Sequence, residues 1–361
     1  MYEVEFLKIK IKHKMIYRSK APLRIGFAGG GSDVSPYSDL FGGAILNATI
    51  SLSARASLEL IEEDKIILHA LDRGEIAEYA LSDELPINGE LDLLKGAYNY
   101  MAKNYIKDLK GFRLSTYVDA PAGSGLGSSS TLMVAILGTV VEWLSLPLGS
   151  YDIAHMSYEI ERIQLKMAGG KQDQYAATFG GFNYMEFYSG DKVIVNPLRI
   201  PKPYIFELEN NLLLYYTSKS RLSSTIIEEQ QKNVSSKNEK SLDAMHVIKE
   251  QAMQMKEALL QGNINRLGEI LDEGFRYKKE MAKGISNPMI DEIYETAKAA
   301  GAVGGKILGA GGGGYMLFYC PDISKYKVMH ALEQYDGQFN SFRFVEDGLF
   351  TWVIKKNGYA K

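Results

Sequence analysis

Apolar and polar residues alternate through Arg113–Asp119, with Phe112, Leu114, Thr116 and Val118 on one side, which predicts a strand with one buried face. Upstream, Ala44–Ile50, Ala54–Ile61 and Lys65–Ala70 are β-capable runs, and Leu23–Phe27 is a shorter one. Phe182–Tyr188 and Lys192–Val195 give the same signal further on. Helical spacing appears at Leu91–Tyr105 and at Asp152–Met167, where Ile153, Met156, Ile160 and Ile163 form one stripe. Between these lies the apolar segment Thr131–Val141, which predicts a helix. Its Leu132–Val141 run meets Glu142 and is too short to span a bilayer.

Pro201 and Pro203 mark a boundary. A chain of 361 residues can bury two cores, so the expected units are 1–203 and 204–361. The second half is richer in helices. Ser223–Gln261 breaks near Asn233–Asn238, and Ile264–Met281 and Pro288–Ala300 follow. Gly304–Tyr319 then places a glycine cluster between two β-capable runs. Residues 1–14 alternate charged and apolar positions without a signal-peptide core, and read as a strand or an appended arm, with Met15 as an alternative start.

Charge and cysteine content narrow the function classes. Lys and Arg total 41 against 44 Asp and Glu, a net charge of −3, so no global basic field points to nucleic acid or an anionic membrane. Cations that hold phosphate must act locally. Cys320 is the only cysteine, which excludes an internal disulfide and a cysteine-cluster metal site and suits a reducing, cytoplasmic location.

The richest local chemistry is Pro121–Ser130, PAGSGLGSSS, running into the apolar helix. Gly123, Gly125 and Gly127 leave backbone N–H groups unshielded, and Ser128, Ser129 and Ser130 add hydroxyls. A helix start has unpaired donors and a partial positive charge, so this turn is built for phosphate. An ordinary loop with a serine cap is the plainer reading. It is no Walker A loop, lacking the lysine and following hydroxyl, and Ser128 stands where a dinucleotide fold needs its last glycine.

Three further clusters carry polar groups on flexible turns. Ala28–Asp33, AGGGSD, follows the Leu23–Phe27 run; Gly31 lets backbone approach a ligand, and Ser32 and Asp33 can bind hydroxyls, although a capped turn would look the same. Gly169–Gln174, GGKQDQ, joins Lys171 to Asp173, which can orient a hydroxyl or take its proton. Glu159 and Glu161 lie on the preceding helix, and either could meet Mg2+, which on nucleotides takes one or two protein oxygens. Lys306–Gly314 fits GxGxxG, but the run after it is strand-like, so a glycine loop packed on another phosphate loop fits better than a dinucleotide turn.

Together these clusters resemble the GHMP kinases, whose three motifs match Ser19–Ile25, Pro121–Ser130 and Lys306–Gly314 in order. The resemblance covers nearly all of the chain after Met15. It is strongest to the branch of sugar 1-kinases that act on heptose phosphates, through Phe27–Asp33, Gly170–Ala177, Phe179–Gly181 and Ser286–Pro288. L-fucokinase is the nearest rival. The resemblance implies an α+β fold of two domains, the first like ribosomal protein S5 domain 2 and the second ferredoxin-like. It implies ATP and Mg2+ as cofactors and transfer to the anomeric hydroxyl of a heptose phosphate, in the synthesis of nucleotide-heptose and surface-polysaccharide precursors.

By the same resemblance Asp173 is catalytic and Arg24 pairs with it. Pro121, Gly123, Gly125, Leu126, Gly127 and Ser128–Ser130 bind ATP, joined by Gly311 and Gly312 from the third motif. Ser129 and Glu161 hold the metal. Gly31, Ser32 and Asp33 bind sugar. The substrate's own phosphate needs an added cation, for which Lys171 and Arg221 are the first candidates and Lys278 or Lys279 the next. A silent sugar and ATP sensor would be expected to lack Asp173 or Arg24, and a structural nucleotide-binding subunit would not need the Gly31–Asp33 and Lys171–Asp173 clusters. The expected partner is a small sugar phosphate; the sequence leaves a homodimer open.

Overall fold

The computed structural model describes residues 13–218 and 223–357. The larger of two sheets contains β1 (His13–Ala28), β2 (Gly43–Leu60), β3 (Lys65–Ala70), β4 (Glu75–Ala80), β5 (Phe112–Val118), β6 (Phe182–Phe187), β7 (Val193–Pro197) and β12 (Phe350–Asn357). Its main path is β12-β1-β2-β5-β3-β4; β6 pairs with the first part of β2 and carries β7. The two runs expected at 44–50 and 54–61 are thus one long strand. In β5, Phe112, Leu114, Thr116 and Val118 are buried, while Arg113 and Tyr117 face solvent, as alternation requires.

The second sheet orders β8 (Leu212–Tyr216), β9 (Gly304–Ile307), β10 (Tyr315–Tyr319) and β11 (Gln338–Asn340) as β11-β8-β10-β9, all antiparallel. Helices α7 (Ser223–Ser235), α8 (Glu239–Leu260), α9 (Ile264–Met281) and α10 (Pro288–Ala299) connect β8 to β9, and α11 (Ser324–Leu332) connects β10 to β11. A split βαβ pair in this order is the ferredoxin-like arrangement. Cys320 is buried at the end of β10, and burial pushes its thiol up to about 12.

The remaining helices are α1 (Tyr37–Phe41), α2 (Asp92–Asn104), α3 (Ser128–Leu144), α4 (Ser150–Tyr158), α5 (Gln172–Phe179) and α6 (Lys202–Asn211). The apolar helix α3 packs on β1, β2, α2, α4 and α5, with Met133, Val134, Ala135, Ile136 and Leu137 all buried. A helix apolar on every face belongs at such a centre. The buried Ser19 hydroxyl donates to Ala135 O at 2.6 Å and accepts from Thr139 Oγ1 at 2.8 Å, tying β1 to α3. Ser19→Ala is expected to cost about 1 kcal/mol, measured as a shift in the urea midpoint. No helix among the described residues is long and apolar enough to cross a membrane.

Two features depart from expectation. First, the chain end does not stay with the second unit. Ser51 N donates to Arg343 O, Val345 N donates to Thr49 O, and β12 pairs β1 from His13↔Asn357 to Lys20↔Phe350. An uncovered β1 would leave an edge of unpaired backbone groups, and the tail supplies their partners. Second, the helix expected over 152–167 is interrupted. After α4 comes a π-helical turn, Glu159–Gln164, with Leu165 N donating to Ile160 O, five residues back. The added residue rotates the phase, so Ile163 is 60% exposed and Glu161 is fully buried.

Candidate active site

A cavity of about 710 Å³ opens between the two sheets' helices and loops. The phosphate-type loop forms one wall through Ala122, Gly123, Gly125 and Gly127, followed by Ser128, Ser129 and Ser130. Gly123, Gly125 and Gly127 have φ of +73°, +86° and +77°, a region that side chains disfavour. The N–H groups in the first turn of α3 have no intrahelical acceptor and give this wall a positive edge. The third glycine cluster braces the loop from behind. Tyr315 N donates to Ser124 O, and a Cβ on Gly125 would lie 2.7 Å from Leu308 O.

β1 and β2 shift register between Pro22 and Arg24, with the extra residues on β2, and just past this irregularity Arg24 reaches this wall. The buried guanidinium donates through Nη1 to Gly125 O at 2.6 Å. Its Nε and Nη2 both lie 2.7 Å from Asp173 Oδ1. Asp173 stands in the first turn of α5, and its other oxygen, Oδ2, has no hydrogen-bond partner among the described residues. A Cβ on Gly127 would lie 3.1 Å from that oxygen, which places it beside the start of α3. One side chain thus holds both the anion loop and a carboxylate with a free proton-accepting atom.

Glu161 lies on the same cavity, fully buried. It accepts from Ser130 Oγ at 3.0 Å and from Gln174 Nε2 at 2.6 Å. Burial raises its pKa, with Arg162 and the two hydrogen bonds opposing. Glu159 instead accepts from Tyr100 outside the cavity. Ser129 lines the cavity with an exposed side chain, but Ser130 is the serine that touches Glu161. Beside Asp173, Asp33 is buried and accepts from Gln172 N at 3.0 Å and Gly31 N at 3.3 Å. Burial raises its pKa, the backbone bond from Gln172 opposes, and Asp173 adds to the rise. Gly31 lines the cavity with it.

Several expected contacts are absent from the cavity. The Lys171 side chain, just ahead of α5, is buried elsewhere, 2.9 Å from Asp191 in the β6–β7 hairpin and over the Tyr158 ring. Ser32 spends its hydroxyl on Gly29 O and the backbone of Ala44. Gly311 and Gly312 pack under the site, where Gly312 N donates to Ile285 O and a Cβ on Gly311 would strike the same oxygen; Gly309 and Ala310 line the cavity in their place. Leu126 is a core residue whose carbonyl accepts from Arg24 N, and Pro121 caps the loop through its carbonyl. Lys279 pairs with Asp291 at the surface. Arg221 lies outside the described residues.

Lys306 and Arg162 also line the cavity, though sequence patterns did not single them out. Lys306 opens the third glycine cluster, a position that could have drawn notice; nothing local marks Arg162. Lys278, a secondary candidate, lines it too. Burial, together with Lys306 and Arg24, pulls Lys278 well below the usual amine range; burial and Arg24 pull Lys306 down to about 8.

Comparison with known proteins matches this geometry to one family. Residues 92–181 match the GHMP kinases N terminal domain, and residues 255–336 the GHMP kinases C terminal domain. The chain is 45% identical to D-glycero-alpha-D-manno-heptose 7-phosphate kinase of Campylobacter jejuni, over 93% of this chain and 99% of that protein. It is 27% identical to L-fucokinase/L-fucose-1-P guanylyltransferase of Bacteroides fragilis, over 87% of this chain but 36% of that longer protein. A crystal structure of a D-glycero-D-manno-heptose 1-phosphate kinase from Bacteroides thetaiotaomicron superposes with a TM-score of 0.79 at 44% identity, covering 93% of this chain and 98% of that one. The chain belongs to the GHMP kinase family, as an ATP-dependent phosphotransferase acting on a hydroxyl group.

Proposed function

We propose that this enzyme transfers the γ-phosphoryl of Mg-ATP to the anomeric hydroxyl of D-glycero-D-manno-heptose 7-phosphate, an early step toward nucleotide-heptose precursors. The observation that carries the reading is Arg24, whose guanidinium joins the phosphate loop at Gly125 O to the acceptor-side carboxylate at Asp173 Oδ1. Phosphoryl transfer needs the attacking oxygen held in line beside the phosphate, with charge spread over donors. The first turn of α3 supplies those donors. The free Oδ2 of Asp173 orients the hydroxyl and can accept its proton. Asp33 and Gly31 lie at the same cavity, where sugar hydroxyls find acceptors.

Two similar proteins support the heptose phosphate, although their names place its phosphate differently, at position 7 in one and position 1 in the other. The 7-phosphate leaves the anomeric oxygen free to react. Phosphorus NMR of the product checks this directly: a new signal coupled to the anomeric proton is expected. Phosphate at another oxygen, or a preference for L-fucose over every heptose phosphate, overturns the substrate while leaving the kinase.

The Glu161 site fits a nucleotide-borne Mg2+. It offers a buried carboxylate and serine hydroxyls beside the phosphate loop, the one or two protein oxygens such an ion takes, and burial of the carboxylate favours a cation nearby. Bound there, Mg2+ would neutralise phosphate charge. Glu161→Gln is expected to raise the Mg2+ concentration for half-maximal turnover by about tenfold or more. An unchanged Mg2+ titration removes Glu161 from metal binding.

A further inference from the structure

We propose that Lys278 and Lys306 form a dedicated subsite for the phosphate that the sugar substrate already carries, a role that rests on the sugar-phosphate reading above. Lys278 reaches inward from α9 and donates to Ile307 O at 2.8 Å and Gly309 O at 2.6 Å, which leaves one ammonium N–H. Lys306, on β9, donates to Phe27 O at 3.1 Å, which leaves two. Both are more than nine-tenths buried, and neither forms an ion pair with a carboxylate among the described residues.

Two buried amines near a third cation, Arg24, carry a charge only at a cost, which lowers their affinity for protons until an anion pairs with them. Nothing behind them does. The void at their rear is about 10 Å³, room for no more than one water, and is walled by Phe27, Ile248, Ile270 and Leu271. Gln251 Nε2, a further donor on that void, also lacks an acceptor among the described residues. An anion can reach them from the cavity side, where both lysines stand with Gly30, Gly31 and Asp33. Asp33 bonds to Gln172 N and Gly31 N, and neither it nor the exposed Glu228 pairs with either lysine among the described residues. A phosphoryl dianion satisfies the remaining ammonium donors.

Two sources could supply it. The carbonyl contact with Phe27 puts Lys306 at the root of the Ala28–Asp33 loop, on the sugar side. The contact of Lys278 with Gly309, which packs on Gly125, makes a nucleotide phosphate the competing occupant.

Calorimetric titration of inorganic phosphate into the enzyme, with and without a saturating non-hydrolysable ATP analogue, separates the two. Binding should persist with the analogue bound, weaken about tenfold to a hundredfold in Lys306→Met, and recover in Lys306→Arg. Lys278→Gln should weaken it as well. Lys306→Met should melt no lower than wild type without ligand, since it removes an uncompensated buried charge; a purely structural lysine would lower the melting temperature. In kinetics, the preference of the enzyme for the sugar phosphate over the same sugar lacking it should fall by the same factor in Lys306→Met, with KM for ATP unmoved. The proposal is overturned by no phosphate binding in wild type, by binding lost when the analogue fills its site, or by binding indifferent to both lysines. Lysine-dependent phosphate binding in an enzyme that turns over no heptose phosphate upholds the subsite and refutes the substrate proposed above.

Discussion

Asp173→Asn is expected to lower kcat by roughly 10²-fold or more, with ATP affinity and melting temperature close to wild type. The substitution keeps the shape of the side chain and an oxygen for the Arg24 guanidinium, which now bonds Oδ1 twice at 2.7 Å. It removes the negative charge and replaces the free proton-accepting atom with an amide or a neutral carbonyl. The phosphate loop keeps its own tie, because Arg24 Nη1 still reaches Gly125 O. Single-turnover kinetics with calorimetric ATP binding check this. Turnover within tenfold of wild type would show that Asp173 neither orients nor deprotonates the acceptor.

Gly125→Ala is expected to weaken ATP binding by at least about tenfold, from a left-handed backbone that costs ~1–2 kcal/mol for any side chain plus a collision that cannot relax cheaply. Gly125 has φ of +86°, and its added Cβ would sit 2.7 Å from Leu308 O and 2.8 Å from Leu308 C, both backbone atoms of the bracing glycine loop. Relief requires the phosphate loop to move, which also loosens the Arg24 bond to Gly125 O. Gly190→Ala is the control. That glycine, in the β6–β7 hairpin, has φ of +67° and open space around the position of a Cβ, so it carries the conformational cost without the collision. Calorimetry should show ATP affinity reduced only in Gly125→Ala. Equal affinities in both variants would mean that this loop does not cradle the nucleotide. Gly127→Val is a less selective probe, since its side chain meets Asp173 and would disturb catalysis as well as ATP binding.

Much of the frame was legible residue by residue. Alternation located β5, the break near Asn233–Asn238 separated α7 from α8, and α9 spans the expected Ile264–Met281. The phosphate loop was legible because its requirement is local: backbone N–H groups, positive φ and a helix start all lie within ten consecutive residues. The Arg24–Asp173 pair was not local. Its members are 149 positions apart, and only a family resemblance joined them before the structure did.

The cations show where pattern reading stops. Lys171 stands two residues from Asp173 yet turns away to Asp191, while Lys278 and Lys306, distant in sequence, meet at the cavity. Glu161 is turned inward by a π-helical turn whose extra residue leaves no sign in the apolar spacing. The last strand joins the first sheet because β1 has an open edge, a need that arises only once that sheet exists. By itself the sequence determined the elements and the backbone freedom of the glycine loops, since propensity and φ depend on each residue and its near neighbours. Tertiary structure alone decided which charged side chains face the cavity, because that depends on helix phase and on what packs opposite.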